Sequence, residues 1–483
     1  MPIILGASSA ATGAFTVDNS CCFNKADSPY LEKTQSAGNR KKWSFSVWFK
    51  IGQQDGVIHY LLGAFSDGSN YTNIEGGDGS NYIRYGNLVG GGYDSFKRSN
   101  QQIRDPSAWY HMLCVYDSAN ADSSLRQLLY LNGTQVTSFA SDTTTTLNQD
   151  SAMNDSASSL MIGNLSGESS WFDGLMAEVV LLDGTAASPT DFGEFDEDSP
   201  TMWKPKDPSG LAFGTNGFYL DFKDSANLGN DANGGTDFTE NGIIAADQCL
   251  DSPTNSFCTL NPLDNATSSA FTFANGNSQA FQAAAAWRAT YGTMAPSSGK
   301  WYYECIGGNA SGHLYPSIAS PQYAAQLGVN MEMGTTITQP SYGLYGANGS
   351  IMYATTSAAG QNSAGYSGTF TESNYIGVYF DLDNNKVYWA IDGTIQNSGT
   401  GFGIQADFAY MPAASLYSNT AAGTGFNFGN GAFNGVAIGG TTYNDANGYG
   451  IFKYSPNDGG AASFDSSAKD FLAVCTKNLA EYG

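Results

Sequence analysis

Apolar side chains recur at every second position in several short segments of this chain, and this alternation constrains the fold most. The clearest segment is WSFSVWFK at 43–50, and YHMLCVY at 110–116 is another. Successive side chains of a β-strand point to opposite faces of a sheet, so the first segment predicts a strand buried on one face. The apolar run GLMAEVVLLDG at 174–184 predicts a strand buried on both faces. Short strands of this kind are typical of β-sandwiches.

Turn residues separate the predicted strands. Glycine supplies 58 of the 483 residues, against a usual share of about 7%, and charged residues are 13% against about 25%. Asn132-Gly133 predicts a type I′ turn within a hairpin over Leu125–Phe139, whose strands are LRQLLYL and TQVTSF. A second hairpin is predicted over Tyr375–Asp392, with its bend at Asp383–Asn385 and a further turn at Asp392-Gly393. Helix is indicated only at 324–327 and 468–474, so the predicted fold class is all-β.

The chain is too long for one ordinary core, which favours at least two sandwiches. A turn-rich stretch with two prolines and little periodicity, QCLDSPTNSFCTLNPLD, marks the junction between them. We predict two tandem antiparallel β-sandwiches. The predicted segments are an N-terminal arm at 1–14, a first sandwich with a turn-rich extension at 15–248, a linker at 249–264, a second sandwich at 265–435, and a C-terminal extension at 436–483.

The charge balance and the apolar runs exclude two classes of partner. The formal net charge is −24, and an acidic surface repels the phosphate backbone of nucleic acid. No stretch approaches the roughly 20 apolar residues of a membrane span. The N-terminus has a short apolar start without a basic region, so we expect no export signal.

The chain shows no apparatus for catalysis. His59, His111 and His313 are scattered, and neither an HExxH nor a GxSxG motif occurs. A glycosidase needs two carboxyl groups about 5–9.5 Å apart. The one dense acidic cluster lies beside a proline in FGEFDEDSP, and we interpret it as a solvated loop; it comprises Glu194, Asp196, Glu197 and Asp198. We therefore predict no catalytic residue and no enzymatic activity.

The seven cysteines form an odd, sparse set without zinc-type spacing, which predicts mostly buried thiols. Cys249 and Cys258 could bridge a short loop if their Cα atoms lie about 5.5–6 Å apart.

The 231–237 segment offers candidate ligands for a metal ion, whereas Asp381, Asp383 and Asn384 are better explained by the bend of a hairpin. Asp231, Asn233 and Asp237 place side-chain oxygens at alternate positions, as a calcium loop would. The twelfth position of an EF-hand frame is Gly242 and not glutamate, and Asp, Asn and Gly are also ordinary turn residues. A structural turn and a calcium site both remain open, and no other cofactor is predicted.

Ordered motifs in both halves resemble known families. WSFSVWFK, the Trp109-Tyr-His segment, LYLNGTQV and WFDGLMAEVVLLDG occur in the order seen in laminin-G-like, concanavalin A-like sandwiches, over residues 15–200. The second half resembles a SPRY domain over residues 265–435, through the motifs GKWYYE at 299–304, LGVN at 327–330, SYGLYG at 341–346, YIGVYFDLDNNKVYWAIDG at 375–393, PAASL at 412–416 and FNFG at 426–429.

SPRY domains, by this resemblance, bind partners through loops at one end of the sandwich. Tyr315, Tyr323, Tyr342 and Tyr345 lie in or beside segments broken by glycine and proline, which makes them candidate ligand contacts. The alternative is that these rings pack the loops onto the sandwich.

The segments that join the motifs resemble those of tail-fibre-like and other structural proteins of bacteriophages. They are SGLAFGTNGFYLDFKDSANLGNDANGGTDFT at 209–239, DSPTNSFCTLNPL at 251–263 and LAVCTKNLAEY at 472–482. The resemblance implies a virion component made in the host cytoplasm and displayed on the outer surface of the particle.

The implied function is host attachment. The chain would act as a tail fibre, spike or head fibre that binds a host-surface glycan or protein, assembled with other virion proteins and as a homo-oligomer such as a trimer. Two alternatives remain: a capsid decoration or tail-assembly protein that contacts only virion subunits, and a glycan-degrading tailspike. The arm at 1–14 would either anchor the protein to the particle or form an edge strand.

Overall fold

The computed structural model describes the backbone of residues 4–5 and residues 15–52, 56–166, 170–264, 271–306, 308–325, 333–334, 337–457, 464 and 470–483. The chain divides into two compact units. The first unit is Ala11–Thr254, and the second unit combines Met1–Ala10 with Asn255–Gly483. Both are built from antiparallel strands, which confirms the predicted fold class of two tandem β-sandwiches.

Helices are short. The α-helices are α1 (Pro321–Ala325) and α2 (Thr476–Tyr482), and 3₁₀ turns occupy Lys25–Asp27, Ser123–Leu125, Pro189–Asp191, Ala245–Asp247, Pro262–Asp264 and Asn397–Gly399. The prediction of a helix at 468–474 is wrong at Leu472–Ala473, which form a strand. Residues 468–469 of that predicted helix, and residues 326–327 of the one predicted at 324–327, lie outside the described residues. Among the described residues, no helix has the length and apolar character needed to cross a membrane.

In chain order the strands begin with β1 (Ile4–Leu5), whose backbone runs parallel to Met294–Ala295 in the second unit. The strands of the first unit are β2 (Ser20–Phe23), β3 (Tyr30–Thr34), β4 (Lys42–Ile51), β5 (His59–Asp67), β6 (Asn70–Gly77), β7 (Tyr82–Val89), β8 (Gly92–Gln102), β9 (Tyr110–Asp117), β10 (Gln127–Leu131), β11 (Thr134–Gln135), β12 (Phe139–Thr143), β13 (Ser159–Ile162), β14 (Gly174–Asp183), β15 (Gly193–Phe195), β16 (Trp203–Pro205), β17 (Phe218–Leu220), β18 (Thr239–Asn241) and β19 (Gln248–Cys249).

These strands form two eight-stranded sheets. The first sheet has the order β11-β10-β9-β4-β14-β2-β19, with β17 also paired to β14, and the second sheet has the order β12-β8-β7-β6-β5-β13-β3-β18. Side chains of both sheets meet in one buried core that includes Phe45 and Phe49 of β4, Ile74 of β6 and Tyr85 of β7. The first unit is therefore a two-layer sandwich.

The predicted hairpin over 125–139 is only partly present. Asn132 and Gly133 have φ angles of 47° and 74°, as a type I′ turn requires, and they join β10 to β11. The second arm ends at Gln135, because the chain then crosses from the first sheet to β12 of the second sheet. The TQVTSF segment is thus not one continuous strand.

The outer face of the first sheet is covered, and this corrects the prediction for β4. Ser44, Ser46, Trp48 and Lys50, expected to face solvent, are at most 3% exposed. The chain after β14 returns across this face. Phe192, Phe213 and Tyr219 of this segment pack on β9 and β14, and Trp203 packs beside Trp48. The apolar partners in β9 and β14 are Leu113, Val115, Val180 and Leu182. The prediction that β14 is buried on both faces is confirmed.

His111 lies inside this covered face. The Trp203 Nε1–H can only donate, and it lies 3.1 Å from His111 Nδ1, so Nδ1 is the acceptor. His111 Nε2 therefore carries the proton and donates to Ser46 Oγ at 2.8 Å. Burial lowers the pKa of His111 to about 3. The ring is a neutral structural group.

A buried ion pair anchors the end of the first unit. Lys50 Nζ lies 2.7 Å from Asp251 Oδ2, with side-chain exposures of 3% and 0%. Trp109 Nε1 donates to the other carboxylate oxygen at 2.8 Å, and Ser20 Oγ donates to the Asp251 carbonyl at 2.6 Å. These contacts hold residues after β19 against the first sheet, within the segment that the sequence predicts as linker.

The second unit is built around a long strand. Its remaining strands are β20 (Phe271–Ala274), β21 (Gln279–Tyr291), β22 (Met294–Ala295), β23 (Lys300–Ile306), β24 (Leu314–Ala319), β25 (Ser341–Leu344), β26 (Ile351–Ala354), β27 (Gln361–Ser363), β28 (Tyr375–Asp381), β29 (Lys386–Ile391), β30 (Thr394–Ile395), β31 (Phe402–Gly403), β32 (Met411–Asn427), β33 (Ala432–Phe433), β34 (Val436–Ala437) and β35 (Leu472–Ala473). β32 pairs with β21 and β24 and also with β23, which joins the two layers. The predicted β28–β29 hairpin is confirmed.

Glu304 ties the C-terminal extension to this second sandwich. Its carboxyl group is buried and accepts hydrogen bonds from the Lys453 and Tyr454 backbone N–H groups at 3.0 and 2.8 Å. Asn427 Nδ2 and the Tyr302 hydroxyl donate to it as well, both at 2.9 Å.

The cysteines are free thiols. Six of the seven are buried and Cys249 is half-buried, so the prediction of mostly buried thiols is confirmed. The bridge considered between Cys249 and Cys258 is not formed.

We expect Lys50→Met to destabilise the first unit by about 3–5 kcal/mol, because it leaves the Asp251 carboxylate buried without its countercharge. Native-state hydrogen exchange of β4 amides in the full chain measures the opening free energy. Lys42→Met is the matched control on the same strand, since the Lys42 side chain is 38% exposed beside Asp117, and it should cost less than about 1 kcal/mol. Equal losses in the two variants would contradict the anchoring role.

Candidate functional site

Three of the four predicted ligand-binding tyrosines are packed inside the second unit. Tyr315, Tyr323 and Tyr342 are at most 1% exposed. The Tyr323 hydroxyl accepts from the Gly334 N–H at 3.1 Å, and the Tyr342 hydroxyl accepts from the Gln405 N–H at 2.8 Å. The expectation of exposed loop tyrosines is wrong for these three, because they belong to β24, α1 and β25 and not to loops.

Tyr345, the fourth, is half-buried. Its ring stacks on Tyr315 with centroids 4.6 Å apart. Trp287 lies 5.8 Å from Tyr345 and 5.5 Å from Tyr417, and His313 lies 5.4 Å from Tyr417. The rings form a half-buried aromatic cluster on one face of the sheet.

The predicted calcium loop is organised as a turn. Asp231 Oδ1 accepts from the backbone N–H groups of Tyr219 and Asn233 at 3.0 and 3.1 Å, and Asp237 Oδ1 accepts from the Asp231 N–H at 3.0 Å. Lys33 supplies a nearby positive charge and donates to the loop backbone. Nowhere in the described part of the chain are three His, Cys, Asp or Glu side chains grouped to hold a metal ion. These contacts support the turn, and calcium binding stays a prediction.

The acidic cluster at 194–198 lies at the end of β15 and in the loop that joins it to β16. Asp196 is 4% exposed, and its Oδ1 accepts from the Asp198 and Ser199 N–H groups at 3.0 and 2.9 Å. Lys204 Nζ lies 3.4 Å from Asp196 Oδ2 and 3.5 Å from Glu194 Oε1. The prediction of a solvated run holds for Glu194, Glu197 and Asp198, which are exposed, and is wrong only for Asp196.

Another surface combines buried polar groups with partly exposed aromatic rings. It is the face of the second sheet that points away from the core, formed by β5 to β8. At its β5 edge, the segment at Asn164 and Leu165 packs on Gly63.

In β6, Ile74 enters the core while the alternate residues Asn73 and Glu75 point outward. The register places Arg84 of β7 opposite Glu75 and Gly86 opposite Asn73. We call this surface the β6–β7 face.

A buried polar trio occupies the middle of the β6–β7 face. Asn73 Nδ2 donates to Glu75 Oε1 at 2.6 Å, and Arg84 Nη1 lies 3.2 Å from Glu75 Oε2 in an ion pair without hydrogen-bond geometry. Asn73 Oδ1, Glu75 Oε2 and Arg84 Nε are buried and have no hydrogen-bond partner among the described residues. Burial raises the pKa of Glu75 to about 7. Two acceptors and one donor are thus left unused side by side.

Partly exposed aromatic rings border the trio. Tyr93 and Phe96 of β8 have ring centroids 4.6 Å apart, and the Tyr71 and Tyr93 hydroxyls are 3.3 Å apart. A Cβ atom at Gly86 would lie 2.7 Å from the Tyr93 ring and 2.9 Å from Asn73 Oδ1, so only glycine lets the ring lie this low over the sheet. The rings give the face an apolar wall beside its polar centre.

The charges of the face are paired. Besides Glu75 and Arg84, Arg98 Nε lies 2.6 Å from Asp78 Oδ2, and its guanidinium group lies 4.0 Å above the Tyr82 ring. The other carboxylate oxygen of Asp78 accepts from the backbone N–H of Ser80 at 2.8 Å. Both carboxylate oxygens of Asp78 are thus engaged.

Sequence reasoning missed this face. The search for paired carboxylates passed over Glu75, which stands alone in NYTNIEGG. The signal available in the sequence was the alternation of this strand, which places polar Asn73 and Glu75 on one face and Ile74 on the other. The next strand carries an arginine, Arg84.

A protein-family model with a lectin-type fold matches the part of the chain that contains this face. The family model described as the concanavalin A-like lectin/glucanases superfamily matches residues 25–191, which include the whole β6–β7 face. This confirms the concanavalin A-like fold expected for the first half. Among curated proteins, none matches the chain by sequence.

Solved structures resemble the chain weakly. The SPRY domain of human HERC1 is 10% identical with a TM-score of 0.25, covering 31% of this chain and 87% of that one. Domains LG4-5 of the mouse laminin α1 chain are 8% identical with a TM-score of 0.30, covering 88% and 89%. A heptameric SAP-like pentraxin from Limulus polyphemus is 14% identical with a TM-score of 0.24, covering 36% and 81%.

The shifted pKa of Glu75 predicts a pH-dependent stability difference. The folded pKa of about 7 lies above the unfolded value of about 4.3, so the native state binds the extra proton between these values and loses stability as pH rises through them. Glu75→Gln removes the carboxyl group that binds this proton. Its stability relative to the parent chain should rise by on the order of 1–3 kcal/mol from pH 4.5 to 8, measured by denaturant unfolding. The exposed Glu372→Gln variant should give a flat difference.

Proposed function

We propose that this protein binds a neutral glycan on the β6–β7 face of its first unit and serves as a host-attachment protein on the outer surface of a virion. The observation that carries the binding proposal is the buried polar trio with unused hydrogen-bonding atoms beside a partly exposed aromatic wall. The concanavalin A-like lectin fold over the same residues supports it.

The chemistry of a sugar suits this arrangement. A hydroxyl group both donates and accepts, so adjacent hydroxyls can donate to Glu75 Oε2 and Asn73 Oδ1 and accept from Arg84 Nε. The apolar C–H face of the ring then packs on Tyr93 or Phe96, since binding sites combine apolar surface with a few placed polar groups. Arg84 is 20% exposed, and a movement of its side chain that keeps Nε beside Glu75 gives hydroxyl groups access to the trio. The paired charges favour an uncharged ligand.

The virion role is supported by the phage-like joining segments and motif order. A rigid sandwich that carries its site on a sheet face suits attachment, and weak contacts to a glycan gain strength when several copies bind together. We therefore propose a homo-oligomer, such as a trimer, assembled with other virion proteins. Antibodies raised against the first unit should label intact particles in electron micrographs, and labelling of disrupted particles alone would contradict surface display.

Binding without cleavage is the proposed outcome. Arg98 and the Ser80 N–H hold both oxygens of Asp78, which disfavours a role for Asp78 as the partner of Glu75 in glycoside hydrolysis. Incubation of the purified chain with host-surface polysaccharide should retain the polysaccharide and release no oligosaccharide. Release of oligosaccharide would favour the tailspike alternative, and no retention would favour a purely structural virion part.

Loss of the aromatic wall should weaken glycan binding. We expect Tyr93→Ala to lower the affinity for glycans selected on an array by at least about tenfold, because a buried aromatic contact contributes on the order of 1–3 kcal/mol. Calorimetry of the full chain measures the change. Tyr443→Ala, which removes a tyrosine that is 40% exposed in the second unit, is the control and should bind as the parent does. Unchanged binding by Tyr93→Ala would refute the assignment.

A further inference from the structure

A groove lies at the edge of the first unit where the chain crosses between its two sheets. β10 and β11 are the last strands of the first sheet, and β12 is the last strand of the second. Val136, 5% exposed, fills the corner between them. The crossing leaves an open groove of about 330 Å³ lined by all three strands.

Two buried polar atoms of the groove lining lack partners. Gln127 and Thr145 are 3% and 2% exposed, and Gln127 Oε1 and Thr145 Oγ1 have no hydrogen-bond partner among the described residues. The amide of Gln127 is oriented by its nitrogen, which donates to the Tyr85 carbonyl at 3.1 Å. Its oxygen is therefore the group left to accept a hydrogen bond from a ligand.

The opposite wall combines an ion pair with an aromatic ring and carries no net charge. Lys97 Nζ lies 2.6 Å from Asp142 Oδ1 and 4.4 Å from the centre of the Phe139 ring. The ion pair cancels the charges of the wall, and the Phe139 ring is partly buried beside it. The rest of the lining is rich in hydroxyl groups, from Ser123, Ser124, Thr137, Thr143 and Thr144.

We infer that this groove is a second binding site, for a neutral, hydroxyl-rich ligand the size of one or two sugar rings. Its volume lies near the lower end of the roughly 300–1,000 Å³ typical of small-molecule sites. An anion would find Lys97 already paired, and a cation would find Asp142 already paired. A pyranose packs its C–H face on Phe139 and forms hydrogen bonds with the hydroxyl groups of the lining. Its hydroxyls reach Gln127 Oε1 and Thr145 Oγ1 once neighbouring side chains move, because both atoms are sealed from solvent.

The groove is separate from the β6–β7 face. In β8, Phe96 lies on the outward face, whereas Lys97, the next residue, points to the opposite side of the sheet and lines the groove. A ligand in the groove and a ligand on the face thus touch different side chains. The second site does not depend on the first.

Saturation-transfer NMR on the full chain tests the groove, with glucose, galactose and N-acetylglucosamine as the probes. We expect transfer to at least one of them at millimolar concentration. Thr144→Trp, at an exposed position of the lining, should fill the groove and reduce the transfer at least tenfold. Thr146→Trp, also exposed but outside the lining, is the matched control and should leave it unchanged.

The two sites are distinguished by combining variants. Transfer that persists in Tyr93→Ala and is lost in Thr144→Trp supports the groove, whatever the array shows for the β6–β7 face. Transfer lost only in Tyr93→Ala, equal loss in the two tryptophan variants, or no transfer from any of the three sugars would overturn the inference. Far-ultraviolet circular dichroism confirms that each variant is folded.

Discussion

The buried ion pair between Lys50 and Asp251 is the contact on which the organisation of the first unit depends. It joins the inner part of the first sheet to the far end of the turn-rich extension, and Trp109 and Ser20 bind the same aspartate. Since an isolated buried charge costs several kcal/mol, the lysine and the aspartate are stable only together. With both ends of the extension fixed, its apolar side chains cover the outer face of the first sheet.

Covering one sheet decides where binding can occur in this unit. The outer face of the first sheet holds the rings of Trp48, Trp203 and a neutral His111 in contact with one another beneath the covering segment. The outer face of the second sheet keeps partly exposed rings around unused polar atoms. A core between the sheets supports both faces, and the second face is the one on which we propose that the glycan binds. The groove at the sheet edge is a consequence of the crossing from β11 to β12.

Local sequence patterns predicted much of this fold. Alternation located β9 and β28, Asn132-Gly133 located a hairpin, and the apolar run of β14 identified a central strand.

Prediction failed where the outcome depends on distant residues. Nothing near Ser44 or Ser46 indicates that a segment more than 140 residues later covers them, as the bond from Ser44 Oγ to the Thr185 carbonyl shows. The candidate tyrosines were misassigned for a similar reason, because strands of the second unit begin inside segments that glycine and proline made resemble loops. Glu75 was missed because one carboxyl group has no local signature, and its burial and its neighbour Arg84 become visible only through the pairing of β6 with β7.

Hydrogen–deuterium exchange of the full chain, with and without the glycan that binds best on an array, tests the central claim most directly. A ligand seated on the β6–β7 face would slow exchange in the peptides that carry β6, β7 and β8, while the first sheet and the second unit keep their rates. Slowed exchange confined to the second unit, around the cluster of Trp287 and Tyr417, would contradict the assignment and move glycan recognition to the other sandwich.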